Sequence, residues 1–242
     1  MNQNQRTTRR ASFHMVGFYP RIIDACITEL RSVLSYLERV ASFVSDEQKN
    51  YRDRLETEIQ ENEMGEEEAD FFYDTHYEDI QELHAFFPTA LRSSVLTFAF
   101  SLFESRLVEA CKFLDKHPLA RSRSWADTED RGLKKVAKFL RKNFSIHPED
   151  HDKWNSILQF HLVRNCFVHA NGDIELMKNS AQNDLRKALP ILSQFGVYLS
   201  DLDKISIEES AVSFAVQAME KWTKAFWIAC RENAVIGPQF WP

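Results

Sequence analysis

The sequence predicts an all-α protein, a helical bundle carrying one small β-hairpin, and three observations predict it. Only six glycines and seven prolines are spread over 242 residues, too few for the turns of a many-stranded fold. Apolar residues recur at spacings of three and four through most of the chain. Hydrophobic residues make up 44% and charged residues 27%, a balance that lets one large domain or two small ones bury a core.

Residues 1–18 are polar and basic, with Arg6, Arg9 and Arg10, and lack a helical period, so a flexible tail is expected there. From about Arg21, the residues Ile22, Cys26, Leu30, Val33, Leu37 and Val40 line one face of a helix. That pattern fades into charge. Gln48 to Asp70, including the acidic run ENEMGEEEAD, reads as a solvated segment with a flexible connection near Gly65. Phe72, Ile80, Leu83 and Phe87 mark a second helical pattern, which Pro88 should break. Residues 19–87 are therefore N-terminal helices, and residues 88–242 are the helical core, either separate from them or one domain with them.

TALRSSVLTFAFSLFESRLVEACKFLDKH is the most apolar helix and belongs at the centre of the bundle. Its Glu104 is flanked by Phe103 and Ser105, and a buried carboxylate there needs a partner. A polar connector over 118–130 leads to RGLKKVAKFLRKNF, which turns Leu133, Val136, Ala137 and Leu140 inward. Its outer face contains no acid. That face is either simply solvated or, through Lys134, Lys135, Lys138, Arg141 and Lys142, an RNA-binding surface.

In SIHPEDHD, Pro148 and the acids suit the first turn of a helix from about Asp150 to Ala170, which Asn171 and Gly172 should stop. Val197 to Leu199 and Ile205 to Ile207 then alternate as a short hairpin. A last helix, about Ser210 to Asn233, closes the bundle with Trp222, Phe226 and Trp227. The final GPQFWP leaves Phe240 and Trp241 to pack back or to meet a partner.

A net charge of −6 argues against a protein that coats nucleic acid indiscriminately, while leaving room for a local basic patch. No run of eighteen apolar residues occurs and the polar N-terminus lacks a signal-peptide core, so a soluble cytoplasmic protein without a membrane partner is expected. Cys26, Cys111, Cys166 and Cys230 are single and widely spaced, as reduced core residues are. His147 to Asp152 supplies metal-ligand residue types, but helix capping accounts for them. No metal and no cofactor are expected.

The chemistry concentrates on the helix of residues 150–170. At 100° per residue, Trp154, Leu158, His161, Asn165, Val168 and His169 fall within one arc, which the tryptophan and leucines suggest is buried. An unpartnered buried amide or imidazole costs about 1–3 kcal/mol, so His161, Asn165 and His169 must be satisfied, wet or useful. Arg164 stands beside them. A guanidinium holds the charge that builds on phosphate oxygens, and an imidazole moves protons near neutral pH. Arg164 and His169 are about 140° apart around a regular helix, so they would converge at a groove or across a two-fold axis between copies.

RNCFVH resembles the Arg, polar residue, three residues, His signature of HEPN domains, helical bundles of many prokaryotic toxins, abortive-infection proteins and RNA-targeting immune nucleases. The resemblance covers roughly residues 88–232: a helix with an LFE segment, the RNxxxH helix with glycine after it, a strand-like insertion and an aromatic final helix. Arg9 and His14 share the spacing but none of that context. The resemblance implies an HEPN-like bundle with a β-hairpin after the RNxxxH helix, and metal-independent cleavage of single-stranded RNA by a homodimer. It implies His169 as acid or base, Arg164 as phosphate ligand and Asn165 as the orienting residue; Glu104 and His161 are added as supporting residues from their places on the apolar helices. Burial further suggests that Glu104 pairs with Arg164. A toxin or phage-defence setting would add an inhibitory antitoxin or another defence protein as partner. Asn171 stands where members modified by a nucleotidyltransferase carry tyrosine, so that regulation is not implied. The competing expectation is a non-catalytic helical module that dimerises or binds a protein, with Asn165 and His169 locking the interface.

Overall fold

The apolar spacing that starts at Ile22 builds the first helix of the computed structural model, which describes the backbone of residues 3–116, 124–200 and 203–232 and the side chains of residues 21–116, 124–200 and 203–230. Helix α1 (Gln3–Glu61) buries Ile22, Ile23, Cys26, Leu30, Val33 and Leu37. It is longer than the pattern suggested. Helical backbone already runs from Gln3 through most of the expected tail, and it continues past Gln48 to Glu61. Charge ended the apolar face without ending the helix, because Glu, Gln, Lys and Arg are good helix formers. The connection expected near Gly65 is a capped turn: Gly65 N donates to Glu68 Oε2 at 3.1 Å as α2 (Glu66–Thr75) begins.

Pro88 does not break the chain as expected. Helix α3 (Tyr77–Gln81) passes through a π-helical turn, Glu82–Phe86, directly into α4 (Phe87–Leu114). In that turn the Phe87 N–H bonds to the Glu82 carbonyl five residues back, so the N–H that Pro88 lacks would have faced the carbonyl of Leu83. Gln48 Nε2, on α1, donates to that carbonyl at 2.7 Å. A side chain thus replaces the missing donor.

Helix α4 is central, packing against α1, α5 (Gly132–Phe144), α6 (Asp152–Ala170) and α8 (Glu209–Glu232). It buries Leu96, Phe100, Phe103, Leu107 and Leu114 completely or nearly so, each contributing about 1.5–3 kcal/mol of transfer free energy. Tyr77–Leu114 has the length and composition of a membrane span, a property shared by core helices of bundles. Helix α5 turns Leu133, Val136, Phe139, Leu140 and Phe144 inward.

The end of α6 follows the sequence closely, whereas Pro148, expected in its first turn, lies in a separate 3-10 turn, Pro148–Asp150. Helix α6 starts at Asp152 because His151 is extended and caps it, its Nδ1 accepting from Lys153 N at 3.2 Å. At the end Asn171 is left-handed, and Gly172 (φ +81°) donates to the Cys166 carbonyl at 3.2 Å, the six-residue closure of a glycine-stopped helix. After α7 (Asn179–Leu192), strands β1 (Val197–Leu199) and β2 (Ile205–Ile207) pair antiparallel, Val197 opposite Ile207 and Leu199 opposite Ile205. Ile205 N donates to the Gly172 carbonyl at 2.8 Å, which fastens the hairpin to the end of α6. Helix α8 closes the bundle, stacking Trp222 on Phe226 and sending Trp222 Nε1 to the Pro148 carbonyl at 3.3 Å. Cys26, Cys111, Cys166 and Cys230 are buried thiols, none of them in a disulfide. The GPQFWP end, with Phe240 and Trp241, and residues 117–123 of the expected connector lie outside the described residues.

Candidate functional site

Helix α6 does not bury the arc that the sequence suggested. Its buried residues advance by threes, Trp154, Ile157, Phe160, Val163 and Cys166, so the buried line turns away from the polar stripe as the helix proceeds. Leu158, His161, Leu162 and Asn165 are only partly covered, and Val168 and His169 are exposed. The stripe begins at the core and ends in water.

Four polar side chains form a connected line across this boundary. His161 Nε2 lies 3.1 Å from Glu104 Oε1 of α4, and the two side chains are 25% and 22% exposed. The other imidazole nitrogen, Nδ1, is 3.4 Å from Asn165 Nδ2, and Asn165 Oδ1 accepts from Arg164 Nη1 at 2.9 Å. With Nε2 protonated toward the carboxylate, neutral Nδ1 accepts from the amide, which satisfies every member in one direction. The expected partner of Glu104 was Arg164. His161 takes that place because it is the residue of α6 that faces α4, where its ring also meets Phe100 at 5.6 Å between centroids.

Gly132 allows Glu104 its position. At φ +54°, it opens α5, and a Cβ there would stand 3.3 Å from Glu104 Oε1. The carboxylate therefore sits against the positive end of α5 as well as against His161.

Arg164 is half-buried, and its Nε is shielded from solvent with no hydrogen-bond partner. His169 lies one turn beyond Asn165, in the last turn of α6, exposed and outside the connected line. The structure thus joins Glu104, His161, Asn165 and Arg164 and leaves His169 alone in solvent. At this end of α6 the described side chains thus offer the half-buried Arg164 guanidinium and the exposed His169 imidazole, about 7.5 Å apart along the helix axis.

The basic face of α5 is not acid-free in space. Lys138 binds Asp130 at 2.8 Å and Glu129 at 3.3 Å, and holds the Asp130 carboxyl below its usual range. Arg141 binds Glu149 at 2.6 Å, while Lys135 lies 4.8 Å over the Trp125 ring. Lys134 and Lys142 are exposed. Beside them a groove of about 610 Å³ separates α5 from α6, with Leu133, Ala137, Trp154 and Leu158 as its apolar lining. Asn155 also lines it, a residue the periodicity did not single out.

His147 Nδ1 is 3.8 Å from Glu149, and His151 serves as the cap of α6. Among the described residues no three side chains of metal-binding type are grouped.

A second surface had no forecast in the sequence. Between α1 and α4 lies a groove of about 700 Å³ lined by Val33, Leu91, Val95 and Leu102, with Tyr36 and Phe98 standing 55% and 58% exposed along it. Its only signal was an α4 apolar on nearly every side, which exceeds what the neighbouring helices can cover. Arg106 clamps one end of this pair of helices, hydrogen-bonding both oxygens of Glu29 and drawing that carboxyl below its usual range.

Compared with known proteins, the chain matches no family model, and neither a curated protein nor a solved structure resembles it.

Proposed function

We propose that this protein is an HEPN-like endoribonuclease that cleaves single-stranded RNA at a site built from Arg164, Asn165 and His169 and completed by a second copy of the chain. The observation that carries the reading is the state of the two reactive groups. His169 is an exposed imidazole with no hydrogen-bond or ion-pair partner among the described residues, and beside it the half-buried Arg164, whose shielded Nε has no partner, is oriented by Asn165.

In this reaction the ribose 2'-oxygen forms a bond to the adjacent phosphorus and the bond to the 5'-oxygen breaks. An imidazole accepts the 2'-hydroxyl proton and a protonated imidazole gives one to the leaving oxygen, while Arg164 holds the charge on the phosphoryl oxygens. A 2',3'-cyclic phosphate and a 5'-hydroxyl result. One group must act as base while another acts as acid, and at this end of α6 the described residues of one chain offer a single exposed imidazole, His169, which is the reason for a two-fold site. Glu104 and His161 position Asn165 and through it Arg164. A toxin or phage-defence role, with a protein that restrains the activity, suits a nuclease of this type.

The test incubates purified protein with single-stranded RNA in EDTA. Cleavage with a cyclic phosphate end is expected, and His169→Ala should lower the rate about 10²–10⁴-fold. Equal cutting by that variant removes the assignment.

A second reading has its own observation. The aromatic groove between α1 and α4 is the kind of surface that docks another protein, and it supports a non-catalytic helical module. In that case RNA stays intact, and Tyr36→Ser with Phe98→Ser changes the oligomeric state or the binding of a protein partner in size-exclusion chromatography.

A further inference from the structure

We propose that single-stranded RNA enters along α6, with the groove between α5 and α6 as the seat for the nucleotides leading to the cleavage site. This rests on the ribonuclease reading above and names how that site takes its substrate.

Three features of the groove point to a nucleotide. Its lining combines apolar side chains, Leu133, Ala137 and Leu158, with the exposed amide of Asn155, as a base needs for its faces and its edge. Lys134, Lys138, Arg141 and Lys142 line it with Asp130 and Glu149, and even counting Glu129, which also binds Lys138, the cations exceed the acids by one, so it favours phosphate in a chain of net charge −6. A nucleotide also fits a groove of about 610 Å³. The ion pair of Arg141 with Glu149 lies on the surface and yields readily to a phosphate. Lys135, resting on Trp125, is not among the lining residues and drops out of the basic face as an RNA contact.

The groove also leads somewhere. At 100° per residue, Asn155, Leu158, Leu162, Asn165 and His169 lie within an arc of about 80° and so form one continuous strip of α6. At the near end of the strip, Leu133 follows Gly132, which touches Glu104, and Leu158 precedes His161 by three residues. From Asn155 to His169 is about 21 Å along the axis, the length of a few nucleotides. A base held on Leu158 therefore precedes the scissile linkage at Arg164 and His169, with its phosphates on the cations of α5.

The experiment measures binding of a short labelled single-stranded oligoribonucleotide by fluorescence anisotropy, in His169→Ala protein so that the strand stays intact. Lys134→Glu and Lys142→Glu should each weaken binding about fivefold to tenfold at low salt and reduce the salt slope by about one. Asn155→Ala should weaken it severalfold with the slope unchanged. Lys49→Glu, on the exposed surface of α1, is the control and should leave affinity within twofold. A duplex of the same sequence should bind more weakly, because the groove accepts a splayed base. Thermal unfolding of each variant establishes that it folds. If the unaltered protein cuts RNA and the groove variants bind the oligoribonucleotide as tightly as the control, the groove is not the path while the nuclease reading stands. If the unaltered chain neither binds nor cuts RNA, both fall.

Discussion

Glu104 and His161 meet at 3.1 Å across the interface of α4 and α6, in a position where neither side chain is more than a quarter exposed. Such a pair holds one helix in register against the other and fixes which imidazole nitrogen carries the proton. A double-mutant cycle with Glu104→Gln and His161→Gln should return a coupling of about 1–2 kcal/mol in urea unfolding. Additive effects would mean that the two groups do not interact. On the proposed ribonuclease reading, Glu104→Gln should lower kcat by about tenfold and leave KM unchanged in cleavage assays, since the carboxylate would act through His161, Asn165 and Arg164.

Gly132 gives a second handle on the same pair. Gly132→Ala asks a β-carbon to occupy a left-handed backbone only 3.3 Å from Glu104 Oε1. A loss of about 1–2 kcal/mol in stability is expected, together with a weaker coupling between Glu104 and His161. A melting temperature equal to that of the unaltered protein would contradict it.

Acid should loosen the contacts of α1 with its neighbours first. Arg106 beside Glu29 and Arg31 beside Glu220 draw both carboxyls below the usual 4.5. A carboxyl depressed in the folded state stabilises fully above its unfolded value and loses that contribution as pH falls through the folded one. Stability measured between pH 6 and pH 3 should therefore decline from about 4.5 downward. Glu29→Gln with Glu220→Gln should flatten the decline.

The buried thiols predict the opposite sign at high pH. Burial raises Cys26 and Cys166 to about 11, so their neutral form is the folded one. They add stability that is complete below the unfolded value of 9 and is lost as pH rises toward 11. At pH 8 a thiol reagent should label neither until the protein is unfolded, whereas rapid labelling would place these thiols at the surface.

The local rules were legible wherever the sequence carried its own punctuation. Asn171 and Gly172 stop α6 and the hairpin sets Val197–Leu199 against Ile205–Ile207, each from residues within about ten positions of one another. What escaped the sequence depends on distant partners. Pro88 reads as a helix breaker because its remedy, Gln48, lies on another helix forty residues earlier. Glu104 calls for a partner, yet only the packing of α4 on α6 selects His161 over Arg164. Apolar residues occur on nearly every side of α6, so spacing alone did not decide which of its arcs faces water. The charges of α5 were read correctly as residues, but their neutralising acids Asp130 and Glu149 come from the segments before and after that helix.

The π-helical turn just before Pro88 and the outer half of α1 lead from the bundle to a pair of helical segments, residues 40–61 and 66–86, in which Leu55 is the one fully covered apolar side chain among the described residues. So thin an interior stores little resistance to opening. Amide hydrogens there should exchange with deuterium well before those of Phe100 or Phe160, and a protease should clip near Gly65 while the remaining helices keep their cooperative melting transition.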